Sequence, residues 1–186
     1  MRVRGRCCVL AFVLGACAGD TETQRVSVDI ERVPYSKLSQ YGFFQGPLGE
    51  LSPALDLISF EPASPLWSDN AVKPRLLYIP EGKRIGFEKD DDWEFPLGTG
   101  AIKSFLFPRD RREPEGAYDL IETRLLVREK DGFQPYVYLW NDERSDATLF
   151  LPGKRVKVAY VDEDGEEVEQ DYVVPNENQC GNCHER

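Results

Sequence analysis

Leu120-Ile121-Glu122-Thr123-Arg124-Leu125-Leu126-Val127-Arg128, the turn Lys130-Asp131-Gly132, and Pro135-Tyr136-Val137-Tyr138-Leu139-Trp140 form the stretch on which the fold turns. Two runs rich in β-branched, aliphatic and aromatic residues flank a tight turn, and the Asp-Gly pair supplies the positive φ that a hairpin wants. The pattern returns downstream, where residues 155–161, the turn Asp162-Glu163-Asp164-Gly165 and residues 167–174 read as a second hairpin. There Val156, Val158 and Tyr160 alternate with Arg155, Lys157 and Ala159, one core face and one wetter face.

Working outward, residues 101–107 follow the glycines Gly98 and Gly100 as a strand, and residues 75–79 form another that stops at Pro80-Glu81-Gly82. Residues 84–87 read as a strand before the acidic tip Asp90-Asp91-Asp92. Val26, Val28 and Ile30 alternate with polar neighbours and predict a short strand over residues 25–30. Residues 35–43 predict one short helix, capped by Ser36, facing inward with Leu38 and Tyr41, and ended by Gly42. A long amphipathic helix is missing from the pattern. The expected fold class is all-β, an antiparallel β-sandwich or open barrel with little helix.

The N-terminus has a separate logic. Met1-Arg2-Val3-Arg4-Gly5-Arg6 is a basic leader, and Cys7 to Val13 is an apolar run too short to span a bilayer as a helix. Leu14-Gly15-Ala16-Cys17 is similar to the lipobox of bacterial lipoproteins, in which Cys17 becomes the lipidated first residue. Residues 1–16 are thus expected to be a lipoprotein signal peptide, 17–33 a linker, 34–175 the β-rich domain, and 176–186 a tail. An ordinary secretory signal cleaved nearby, and a segment that is simply a buried hydrophobic start, are the competing readings. The 186 residues carry a formal charge of −10; removing 1–16 takes three arginines and no acids, which leaves −13. Such a surface argues against a nucleic-acid partner, because phosphate binding needs clustered positive charge.

Of five cysteines, Cys7 and Cys8 leave with the leader and Cys17 is assigned to lipid. The remaining two stand in Cys180-Gly181-Asn182-Cys183-His184, which also holds the one histidine of the chain. Two thiols at this spacing reach the two vinyl groups of one haem, and the adjacent imidazole lies beneath the iron as proximal ligand. Export and c-haem attachment belong to the same compartment, so leader and motif support each other. A structural zinc site needs four ligands and finds three here. A thioredoxin-like dithiol belongs in a βαβ setting. A disulfide between Cys180 and Cys183 is the serious competitor in an oxidising compartment.

No Ser-His-Asp or Cys-His catalytic set can be assembled, which favours an electron carrier over a catalyst. Glu122 and Arg124 share one strand and are expected to form a structural ion pair. Trp67 and Trp140 each precede a turn Asp (Asp69, Asp142) and are expected in the core. The Asp90–Asp92 tip and the 162–165 turn lack the spaced oxygens of a calcium loop.

Seven motifs follow one another in order: Pro65-Leu66-Trp67-Ser68-Asp69, Phe95-Pro96-Leu97-Gly98-Thr99, Ile121 to Val127, Tyr138-Leu139-Trp140-Asn141, Asp146-Ala147-Thr148, Tyr172 to Asn176, and Gln179 to His184. Together they resemble a bacterial family of exported c-type cytochrome-like proteins, with a β-rich module before a C-x-x-C-H motif. Some are described as di-haem cytochromes, and some are fused to sugar-dehydrogenase-like domains. The resemblance spans roughly residues 38–184. It implies thioether attachment at Cys180 and Cys183, proximal ligation of the haem iron by His184, and more chain downstream.

The mature body offers no second His and no Met as a distal ligand. The chain is therefore expected to be the leading part of a longer cytochrome. The alternatives are a distal ligand from another protein or an open site, and an empty motif. The expected function is electron transfer by haem c at the cell envelope. The expected setting is a periplasm-facing lipoprotein, anchored to the outer membrane through lipid, with a periplasmic dehydrogenase or cytochrome as redox partner. The alternative is a non-catalytic binding lipoprotein with a vestigial or disulfide-closed tail.

Overall fold

A computed structural model describes residues 25–26, 28–113, 115–176 and 178–180. The architecture is all-β and antiparallel. Six strands pair in chain order into one sheet: β1 (Leu57–Ser59), β2 (Arg75–Tyr78), β3 (Gly100–Pro108), β4 (Tyr118–Glu129), β5 (Gly132–Trp140) and β6 (Ala147–Leu149). Two more, β7 (Lys154–Val161) and β8 (Glu167–Val174), form a separate hairpin. Both hairpins read from the sequence are present, with Gly132 and Gly165 at positive φ of 127° and 88°.

Side chains alternate across the long strands, so the six-stranded sheet has two inner faces. On the first, Leu76, Ile102, Leu125, Val127, Tyr138 and Trp140 pack against Tyr35, Leu38, Tyr41 and Phe43 from the chain that precedes β1. On the second, Phe105, Phe107 and Val137 pack against Val158, Tyr172 and Val174 of the β7–β8 hairpin. Each large apolar side chain buried this way contributes about 1.5–3 kcal/mol. One irregularity matters. Phe105 pairs with Glu122, but the next residue, Leu106, pairs with Leu120. Ile121 is thus the extra residue of a β-bulge, and both Ile121 and Glu122 are directed to the second face.

Several local expectations change. The described residues among 25–30 join no strand; the chain turns instead, and Arg32 N–H donates to the Asp29 carbonyl at 2.9 Å. Val26 is nevertheless buried in the first core, and Val28, Ile30 and Val33 pack on it. The second half of the segment read as a linker therefore covers the domain. The alternation reports which side chains face inward, but a strand also needs a ladder partner. Residues 84–87 make a single bridge, Gly86 with Glu94, rather than a strand. The expected helix is a short 3-10 helix, Leu38–Tyr41, ended by Gly42 at φ 70°. Lys37, not Ser36, occupies its N-cap position, and the Gln40 side-chain oxygen accepts the Lys37 N–H at 2.9 Å. Leu38 and Tyr41 are both buried, as expected.

Candidate cofactor site

The tail begins with a helical turn whose start is fixed by its own side chains. Gln179 N–H donates to Asn176 Oδ1 at 2.9 Å, and Asn176 N–H donates to Gln179 Oε1 at 3.0 Å. This is a reciprocal capping box, here of the form Asn-x-x-Gln, and it holds the first free backbone donors of the turn. Cys180 N–H then bonds the Asn176 carbonyl at 3.3 Å. The turn brings Cys180 down onto the second face of the sheet, where it is buried among Phe105, Phe107, Tyr172 and Val174. Gly181, Cys183, His184 and the lipid-directed Cys17 lie outside the described residues.

Cys180 arrives at a boundary that the strand register defines. One row across five strands reads Ile58, Leu77, Ala101, Leu126, Pro135, each residue paired with the next. Two residues along each of β2 to β5, the adjacent row reads Arg75, Lys103, Arg124, Val137. The next row, Phe105 and Glu122 with Leu139, is covered by the β7–β8 hairpin. The hairpin thus covers about half of this face. Beyond it, Arg75, Lys103 and Arg124 of one row and Ala101, Leu126 and Pro135 of the other border a cleft of about 180 Å³ lined also by Phe60, Tyr136 and Cys180.

Beneath the hairpin, Glu122 is fully buried (0% exposed). Its Oε1 accepts from Arg124 Nη2 at 2.5 Å and from the Tyr172 hydroxyl. The Arg124 guanidinium also lies 4.1 Å from the Phe105 ring centroid, a cation–π contact. Burial opposes the Arg124 charge, but the hydrogen bond and charge of Glu122 outweigh it and hold its pKa above the ordinary value. Burial, then the Glu122 charge, pushes the Tyr172 hydroxyl up, so it remains a donor. Glu122 Oε2 and Arg124 Nε are both buried without a hydrogen-bond partner among the described residues. The expected Glu122–Arg124 pair is present, and the bulge at Ile121 aims it under Tyr172.

Lys103 is in a different position. It stands directly opposite Arg75 on one side and Arg124 on the other. Its Nζ lies 4.9 Å from the Phe105 centroid, and it makes no ion pair among the described residues. Burial, followed by repulsion from Arg124, Arg75 and Lys73, lowers its pKa to about 8. Arg75 and Lys73 spend donors on the backbone carbonyls of Lys73 and Leu66. In a chain of net charge −10, this corner of the sheet is a local excess of positive charge.

Other expectations resolve simply. Trp140 is buried and donates to Thr123 Oγ1 at 2.9 Å, whereas Trp67 is 70% exposed, held by Asn70 on a loop, and is not a core residue. The Asp162 carboxylate accepts from Asp164 N–H and Glu166 N–H and so is used by its own turn. No cluster of three metal-ligating side chains occurs among the described residues. The capping box and the cationic row escaped the sequence reading. The first had a signal in Asn176 and Gln179, three residues apart after Pro175; the second needs the register and has none.

The donors and shape present suit a porphyrin bearing two carboxylates: an open apolar strip, cations without an ion-pair partner among the described residues beside it, and a motif cysteine at the edge. The buried Arg124 Nε, without a hydrogen-bond partner among the described residues, is a further donor at this place. The fold and site together define an all-β domain with a cysteine-bearing tail docked on a half-covered sheet. No family model, curated protein or solved structure matches the chain.

Proposed function

We propose that this chain is the β-rich module of an exported haem-c protein that carries electrons at the cell envelope. Lipid on Cys17 would tether it to the outer membrane, facing the periplasm. Its partner would be a periplasmic dehydrogenase or another cytochrome. The observation that carries the reading is the placement of Cys180, which a capped turn sets at the edge of an open apolar strip bordered by cations. Cys180 and Cys183 would each add a thiol across one vinyl group, sulfur to one carbon and hydrogen to the other, with no atom lost. His184 would be the proximal ligand. When bound, the iron supplies a one-electron redox couple. The protein's share is attachment, orientation and the charge around the ring.

The test is maturation of the full chain in a host that assembles c-type haem. The expected product keeps its haem after denaturation, shows a Soret band, and gains the full mass of haem. Changing Cys180 and Cys183 to Ser abolishes the gain while the β-domain folds normally. An intact, folded product with no Soret band rejects the reading. If its two thiols are joined to each other, the alternative of a binding lipoprotein with a disulfide-closed tail takes its place.

A further inference from the structure

We infer that Arg75 and Lys103 receive the two carboxylates of the porphyrin attached at Cys180, with Ala101, Leu126 and Pro135 against its flat face. The inference rests on the proposed function and adds the residues that orient the cofactor and bias its potential.

Charge is the first argument. Arg75 faces Lys103 directly across one ladder, and Lys103 faces Arg124 across the next. Like charges at directly opposed positions are destabilising. Of the three, only Arg124 has an ion-pair partner among the described residues, Glu122. Two cations are left without an anion among the described residues, and a ligand with two carboxylates offsets both. Arg and carboxylate also match in their planar, two-pronged hydrogen-bonding geometry.

Shape and place agree with charge. The apolar row is formed by side chains in register across β2 to β5, and these are only half-buried in the described residues. The cleft of about 180 Å³ takes the carboxylate edge and one face of a ring rather than enclosing it. Cys180 lines the same cleft, so the attachment point and the cations share one site.

The effect on potential has a definite sign. Reduction adds an electron, and nearby positive charge favours the reduced form. Arg75→Gln, Lys103→Gln and the double variant, each matured as the full chain, should keep covalent haem by intact mass. At a fixed ambient potential, the ratio of reduced to oxidised haem should fall roughly threefold to tenfold per lost cation. The carboxylate bending bands in the resonance Raman spectrum should shift with it.

Lys103→Arg should stay near the parent in both measurements, and Lys157→Gln, on the outer hairpin, should change neither. Lys103→Met repeats the test if Gln disturbs folding. Haem retained with ratio and bands unmoved overturns this inference and leaves the proposed function standing. A parent chain that folds without haem overturns both.

Discussion

The two faces of the six-stranded sheet solve the problem of buried polarity in opposite ways. The first face is neutral. Tyr41 and Tyr138 share a 2.9 Å hydroxyl contact, Tyr138 donates to the Tyr35 carbonyl at 2.7 Å, and Ser104, Thr123 and Trp140 close a second small network. The second face is charged. It buries a carboxylate, borrows an arginine to balance it, and leaves two further cations beside an open strip. Neutral networks that satisfy their members serve rigidity, because each group bonds at modest desolvation cost. Buried ions do not repay desolvation so readily, and removing one partner leaves the other charge uncompensated. The contrast sets a neutral, hydrogen-bonded core on one face against a core that borders buried and half-buried charge on the other.

The largest expected effect comes from breaking the charged face. Glu122→Ala leaves Arg124 without its anion and Tyr172 without its acceptor, and should cost about 3 kcal/mol or more in urea unfolding. A loss below roughly 1 kcal/mol, the range of surface pairs, would mean that the two faces are not different in kind. On the neutral face, Tyr138→Phe removes the hydrogen bond to the Tyr35 carbonyl and the contact with Tyr41. A cost of about 2 kcal/mol is expected, insensitive to salt.

Lys103→Met sharpens the contrast in the other direction, since it should stabilise the haem-free chain at neutral pH. The unfolded chain keeps this proton to about 10.5, whereas the folded chain releases it near 8. Below pH 8 the fold therefore bears the full cost of the buried charge. That cost fades as pH rises from 8 to 10.5. A gain of roughly 1–2 kcal/mol, discounted for the side chain's partial exposure, is expected at pH 7 and should vanish above pH 10.5. Equal gains at both pH values would assign the effect to packing instead. The smallest effect is local. Asn176→Ala removes half of the capping box and should cost about 1 kcal/mol, read as faster hydrogen exchange at the Cys180 amide with little change elsewhere.

Much of this contrast was out of reach of the sequence. The strands β2, β3, β4, β5, β7 and β8 were legible because each pairs periodic side chains with a recognisable turn. β1 and β6 were not, because three residues carry no period. Residues 25–30 had the period but no neighbouring strand to bond. Of the candidate site, the sequence offered Cys180 within its C-x-x-C-H setting and the Glu122–Arg124 pair. Strict alternation through Ile121, Glu122 and Thr123 sets Ile121 and Glu122 on opposite faces, and the bulge sets them on the same one. The row Arg75, Lys103, Arg124 joins residues far apart in the chain, so only the register assembles it.

The order of the strands bears on how the molecule is made. Each of the first six pairs with the one before it, so every ladder closes over a short span of chain. Ribosomes and translocation channels both deliver a polypeptide from its N-terminus. The sheet can therefore zip up progressively during delivery, while the hairpin that roofs it and the thiol behind that roof come last. A thiol that emerges late meets a finished floor rather than a disordered chain.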